Sequence, residues 1–389
     1  MISTPYYVIE KHQLDKSIDS LKNALEKYWN NYIIGYSYKT NALPWIIKYF
    51  KEQGCFAEVV SDDEYLLAKH IGYSVSDLIY NGPIKTKVTM AEAIRSGGIV
   101  NLDSHREIDW LQDLKNNRKQ YSVGLRVNFD IEKMCPGQSA CGDEGGRFGF
   151  CYENGELGKA ISRVRESGVE IAGLHLHTSS KTRGLDIYKA IARTACQIVT
   201  DFDLKLKYID VGGGFFGGVS NKPQFDDYLR EISELLKQCL DPMKTKLIVE
   251  PGMSVIGPNI SYVTSVIDVK QTSYGVFVVT DGSRTQIDPL MSKSSYFHNI
   301  DYQSDDNTKV NKQVVCGYTC MEHDRLFELR EKRALTAGDL ITYHKVGAYT
   351  MCLTPLFIKY FPEVYVKDMD QLILAREHWT PEFYCQGTR

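Results

Sequence analysis

The stretch that decides the fold is Tyr32-Ile-Ile-Gly-Tyr-Ser-Tyr-Lys-Thr-Asn41, an apolar run that stops at a lysine. Its first part, Tyr32–Ser37, has the length and composition of a buried strand, and Lys39 follows at the carboxyl end. Working outward, the same kind of run recurs at Cys55–Val60, Asp77–Tyr80, Gly98–Asn101, Ser122–Asn128, Glu170–His177, Leu206–Val211 and Lys246–Glu250. Amphipathic stretches of helical length separate them, at Leu43–Gln53, Asp62–Ile71, Thr86–Ser96, His105–Lys115, Leu185–Asp201 and Gln224–Cys239. This alternation predicts an α/β fold with a parallel sheet, and eight units predict a (β/α)8 TIM barrel. In such a barrel the chemistry sits at the carboxyl ends of the strands, which is where Lys39 falls.

Past about residue 260 the pattern changes to successive strands: Tyr262–Val269, Gly275–Asp281, Lys312–Cys316, Leu340–His344 and Glu363–Val366. They predict a C-terminal all-β domain, a sandwich or small Greek-key barrel, with Tyr6-Tyr-Val-Ile9 as a further strand of it. The expected division is a barrel over residues 10–258 and a β-domain built from 1–9 and 259–389. The polar segment Asn299–Asn311 reads as a surface loop.

A 43% hydrophobic fraction fills such cores, and a net charge of −3 supplies no field for nucleic acid or a membrane surface. A small-molecule partner is expected instead. The chain lacks an apolar run of about 18 residues, and Met1-Ile-Ser-Thr-Pro-Tyr-Tyr does not have the layout of a signal peptide. A cytoplasmic protein is expected, its ten cysteines mostly free thiols. Cys316 and Cys320 stand as C-x3-C without a second ligand pair at zinc spacing, so no metal is expected.

Four segments carry chemistry. Lys39, desolvated between Tyr36, Tyr38 and Asn41, is a candidate amine nucleophile of the kind that forms Schiff bases. The glycine-rich Asp210-Val-Gly-Gly-Gly-Phe-Phe-Gly-Gly218 lets backbone N–H groups approach an anion after the seventh strand. Glu250, at the end of the eighth, needs a cationic partner, either a protonated pyridine nitrogen or a barrel arginine such as Arg126. His175-Leu-His177-Thr-Ser-Ser180 places two histidines on one face of the sixth strand, with hydroxyls just beyond.

In order along the chain, these segments resemble the fold-type III pyridoxal-phosphate enzymes, the ornithine/diaminopimelate/arginine decarboxylase group with its alanine racemase-like barrel. The resemblance rests on Tyr-x-Tyr-Lys-x-Asn at 36–41, Ala-Glu-Val-Val-Ser at 57–61, Leu-Arg-Val-Asn at 125–128 and Gly-Arg-Phe-Gly at 146–149. It continues through His-x-His-x-x-Ser at 175–180, Gly212-Gly-Gly-Phe215, Glu250-Pro-Gly252, Cys320-x-x-x-Asp324 and Gly347-Ala-Tyr349. It implies pyridoxal 5'-phosphate as cofactor, attached through Lys39, with His177 stacked on its ring. Ser180, Gly213, Gly214 and Tyr349 would hold the phosphate, Glu250 the pyridinium nitrogen, and Glu58 and Arg126 the polar network beneath. It also implies a homodimer with shared sites, in which Cys320 delivers a proton from the other subunit and Asp324 reaches the substrate, alongside Arg147 and Tyr349. A carboxylate opposite the ring nitrogen makes a strong electron sink, which favours decarboxylation over racemisation.

Departures from the family pattern bear on the substrate. Met253 stands where the diaminopimelate enzymes are expected to carry arginine, Asp288-Pro289 where they carry Arg-Pro, and Ile358 where an asparagine follows the phenylalanine. Such divergence resembles the siderophore branch, whose substrate is a citryl-conjugated diamino acid of the N-citrylornithine type. Arg147, Lys181, Arg183 and Arg325 are the cations nearest the motifs for its carboxylates. The alternatives are a free basic diamino acid (ornithine, lysine or diaminopimelate), carboxynorspermidine and, more remotely, racemisation of an amino acid.

Overall fold

The computed structural model describes residues 2–114 and 120–388. Lys115, the expected last residue of one helix, and the terminal residues Met1 and Arg389 of the expected β-domain lie outside them. The chain divides into two units, Met1–Ser17 with Val255–Arg389, and Ile18–Ser254; the helix Lys11–Tyr28 carries it from the first into the second.

After β1 (Tyr6–Glu10) come the strands of the second unit: β2 (Tyr32–Ser37), β3 (Phe56–Ser61), β4 (Leu78–Ile84), β5 (Ile99–Leu102), β6 (Ser122–Asn128), β7 (Phe150–Cys151), β8 (Glu170–His175), β9 (Tyr208–Asp210) and β10 (Lys246–Val249). All their pairings are parallel. The order runs β5-β4-β3-β2-β10-β9-β8-β6, and β5 pairs back onto β6 with Asn101 opposite Gly124, closing a barrel of eight strands; β7 hangs from β6 outside the circle. The closed sheet leaves no free edge.

The helices between the strands follow local chemistry. In Asp62–Ile71 the Ser61 hydroxyl accepts from the Glu64 N–H while the Glu64 carboxylate accepts from the Val60 N–H, and Gly72, at φ 95°, ends the helix. Cys196, on the helix Leu185–Asp201, is bridged to Cys239, just past Phe225–Leu236, because these adjacent helices bring the two Cα atoms to 5.4 Å. The other described cysteines are free.

One interior layer of the barrel is Tyr208 packed with Ile33, Ile79, Ala172 and Ile248. The phenol lies across the adjacent strands β8 and β6 because they carry glycine beside it. A β-carbon at Gly173 would lie 2.2 Å from the Tyr208 ring, and one at Gly124 would lie 2.1 Å from its hydroxyl.

The other unit is a nine-stranded, mostly antiparallel sheet that adds to β1 the strands β11 (Ile260–Thr272), β12 (Gly275–Thr280), β13 (Phe297–Asp301), β14 (Lys309–Cys316), β15 (Arg325–Arg333), β16 (Leu340–His344), β17 (Glu363–Asp368) and β18 (Gln371–Arg376). Its main path is β15-β14-β12-β11-β1-β17-β18, with β16 joining β11 to β13. The expected loop over Asn299–Asn311 is corrected at both ends. Asn299–Asp301 pairs with Leu340–Thr342, and Lys309 begins β14, because backbone ladders at a polar surface need no apolar face.

Candidate active site

At the carboxyl end of β2, Lys39 lies in the short turn Tyr38–Thr40 and its Nζ donates to Glu58 Oε2 at 2.7 Å. Glu58, fully buried on β3, also accepts from the Ser37 hydroxyl at 2.6 Å. A buried carboxylate requires such donors, so the lysine and the serine hold Glu58 where the sheet places it.

Glu250 follows β10. Its expected alternative partner, Arg126, lies instead against Asp103, Nη1 to Oδ1 at 3.5 Å, with its guanidinium 4.5 Å from the Phe148 ring centroid. The neighbour of Glu250 is instead His175, whose Nε2 is 3.4 Å from Oε2. Asn81, in the middle of β4, donates to Glu250 Oε1 at 2.5 Å. Burial alone would raise the Glu250 carboxyl, but His175 and Lys39 outweigh it and hold the group below the usual carboxylate range. Asp210, on β9, moves the other way: burial and the neighbouring Glu250 push it well above that range. A proton shared between the two therefore rests on Asp210, leaving Glu250 ionised. Ligating atoms of His175, Asp210 and Glu250 all lie within 4.8 Å of one another, and both His175 ring nitrogens and Asp210 Oδ2 are buried without a hydrogen-bond partner.

The glycine loop follows Asp210. Gly212 and Gly214 have φ of 69° and 85°, and the Gly213 carbonyl accepts from the Tyr188 hydroxyl at 2.9 Å. A β-carbon at Gly213 would lie 2.0 Å from the Glu250 carbonyl oxygen, so loop and carboxylate segment press directly together. The Gly213 N–H donates to His177 Nδ1 at 3.3 Å, which makes His177 an acceptor there and leaves its proton on Nε2. Burial, with Lys39 and Arg126 adding to it, pulls the His177 imidazole down to about 3. Its ring lies nearly parallel to that of His175, with centroids 6.3 Å apart. The Ser180 hydroxyl accepts from the Arg183 N–H at 2.9 Å.

The structure thus places Lys39, Glu58, Arg126, His177, Ser180, Gly213, Gly214 and Glu250 on the strands of one barrel or in the segments that follow them. Of the expected tail-binding cations in this unit, Arg147 lies 4.2 Å over the Phe148 ring, Arg183 lies 5.2 Å over Phe216, and the Lys181 N–H donates to the Gln138 carbonyl. Sequence reasoning passed over Asn81 and Asp210, although each is a polar residue closing an apolar run.

Cys320, Asp324, Arg325 and Tyr349 belong to the other unit. Cys320 is exposed, and Tyr349 sits in a loop at φ 54°. Arg325 donates to the Glu322 carbonyl and lies 5.3 Å over Phe277. The buried carboxylate of Asp324 accepts from the Arg284 N–H at 2.8 Å and from the Thr319 N–H and hydroxyl, which anchor it within its own loop. Asp288 is also turned inward: it receives Arg284, the N–H groups of Ser292 and Lys293, and the Tyr296 hydroxyl.

These features suit pyridoxal phosphate: an amine at Lys39, a glycine loop beside the carboxylate segment, and an ionised carboxylate backed by unsatisfied buried polar atoms. Residues 12–257 match the family model described as "Pyridoxal-dependent decarboxylase, pyridoxal binding domain". The chain is 26% identical to a diaminopimelate decarboxylase of Aquifex aeolicus over 90% of its own length and 83% of that protein. It is 25% identical to a probable chloroplastic diaminopimelate decarboxylase of Oryza sativa, over 94% and 75%. Its fold is similar to that of Methanocaldococcus jannaschii diaminopimelate decarboxylase in complex with L-lysine (TM-score 0.86, 22% identity, 99% of this chain and 92% of that one). It is also similar to the lysine/ornithine decarboxylase of Vibrio vulnificus in complex with putrescine (TM-score 0.72, 20% identity, 90% and 91%). With the family model spanning well over half its length, the chain belongs to the pyridoxal-dependent decarboxylases and is a pyridoxal-phosphate-dependent amino-acid decarboxylase.

Proposed function

We propose that this enzyme removes the α-carboxylate of a basic diamino acid and that diaminopimelate is the first candidate. The observation that carries the reading is the pairing of Lys39 with Glu58 beside an ionised Glu250 that is backed by Asp210. Bound pyridoxal phosphate would supply an electron sink for decarboxylation. Glu250 would pair with its ring nitrogen, Lys39 would hold it through the amine, and the neutral His177 packs beside the glycine loop. The curated relatives named diaminopimelate decarboxylases support this choice of substrate.

A citryl-conjugated diamino acid is a second reading, favoured by Met253 and by an Asp288 turned into its own loop, which leave no arginine at either position for a distal carboxylate. CO2 release across meso-diaminopimelate, lysine, ornithine, carboxynorspermidine and N-citrylornithine tests both. Turnover of a free diamino acid supports the first reading, and turnover confined to the conjugate replaces it with the second. We further propose a cytoplasmic homodimer in which the exposed Cys320 serves the partner's site.

A further inference from the structure

A single hydrogen-bonded chain runs through the interior of the barrel. The Tyr208 hydroxyl donates to Asn101 Oδ1 at 2.7 Å, and Asn101 Nδ2 donates to Asn81 Oδ1 at 2.8 Å. The Asn81 amide nitrogen then donates twice, to Glu58 Oε1 at 3.0 Å and to Glu250 Oε1 at 2.5 Å. All five side chains are buried, and Gly124 and Gly173 clear the space that Tyr208 needs.

The direction of this chain follows from its ends. The carboxylate oxygens of Glu58 and Glu250 accept from Asn81 Nδ2, which draws its amide protons outward and leaves its carbonyl oxygen to accept from Asn101. That turns the Asn101 carbonyl towards Tyr208, whose hydroxyl donates. Lys39, Glu64 and Asp210 face Glu58, while His175, Lys39 and Asp210 face Glu250, and His177 and Arg126 stand close to the same cluster. Of the groups whose hydrogen bonds are described above, Asn81 alone donates to both carboxylates.

We infer that Asn81 is a positioning residue that joins the carboxylate beside Lys39 to the carboxylate opposite the cofactor's ring nitrogen, with Tyr208 and Asn101 setting its orientation. The inference deepens the site reading proposed above and rests on it. By placing one N–H on each carboxylate, Asn81 draws charge away from Glu58. Without that donor, Glu58 directs more negative charge at the Lys39 nitrogen, which then keeps its proton to higher pH.

The test is a pH titration of the visible absorption of the full-length, cofactor-loaded protein, without substrate. In Asn81→Leu the midpoint is expected to rise by about one pH unit, the size of one charge-assisted hydrogen bond. Asn81→Gln, which keeps both amide protons on a longer arm, should return the midpoint part of the way. Tyr208→Phe should move it upward by less, having removed only the donor that orients Asn101. Should Asn81→Leu fail to fold, Asn81→Asp has the same shape, loses the paired donors and should show the same upward shift. An unchanged midpoint in a folded, cofactor-loaded variant, with only its melting temperature lowered, would reduce Asn81 to a structural amide and overturn the inference. Because no substrate is present, absence of CO2 release from every diamino acid would refute the proposed function while leaving this result standing.

Discussion

Gly212 and His177 approach so closely that a β-carbon on residue 212 would lie 2.4 Å from the His177 Nδ1. The backbone there has φ 69°, so an alanine pays about 1–2 kcal/mol for the left-handed conformation before it displaces the imidazole. Gly212→Ala is therefore expected to weaken cofactor binding by about tenfold or more, measured by equilibrium titration of the apoprotein. Unchanged affinity would show that His177 and the loop move apart freely.

The shared-site proposal predicts complementation. Lys39→Ala and Cys320→Ala should each be nearly inactive, whereas a subunit-exchanged mixture recovers about a quarter of the wild-type sites by random assortment in a two-fold dimer. Demonstrated exchange without recovery would place Cys320 outside the partner's site.

Stability in acid should report His177. Its imidazole titrates at about 3 in the folded protein and about 6.5 when unfolded, so between these values the unfolded chain binds a proton that the folded chain lacks. Stability is lost as pH falls through that window. Glu64 opposes it: burial pushes its carboxyl up to about 7, so its contribution is lost as pH rises from about 4.5 to 7. In the cofactor-free protein, His177→Asn should gain on the wild type as pH drops from about 7 to about 5, and Glu64→Gln should gain as pH rises over the same range. Melting curves that run parallel to the wild type would refute either assignment.

Asp288→Ala should damage the β-unit rather than the substrate preference. It strands the Ser292 and Lys293 N–H groups, the Tyr296 hydroxyl and Arg284 around a buried gap, an expected cost of about 2–4 kcal/mol in denaturant melts. A change in the ranking of substrates without loss of stability would return Asp288 to the substrate.

The barrel was legible because its strands are short apolar runs; Lys39 and Glu250 mark the ends of two of them, while Glu58 and Arg126 lie inside two others. Strand β15 was not, since Arg-Leu-Phe-Glu-Leu-Arg-Glu-Lys-Arg over 325–333 carries mostly charge and owes its extension to the ladder with β14. The inward turn of Asp324 and Asp288 was hidden for another reason. Sequence shows that a carboxylate exists, whereas the N–H groups that capture it are set by loop geometry. Asn81 escaped notice because an amide within a strand acquires a role only when two carboxylates from other strands meet it.

Strand β1 lies between β11 and β17, with Tyr6 opposite Glu363 on one side and Val263 on the other. Every barrel strand leaves the ribosome before β17 does, so the segment Tyr6–Glu10 must wait through nearly the whole of synthesis with its second ladder unfilled. A fusion or trimming placed just ahead of Tyr6 therefore acts in the middle of the finished sheet, where it competes with the last part of the chain to arrive.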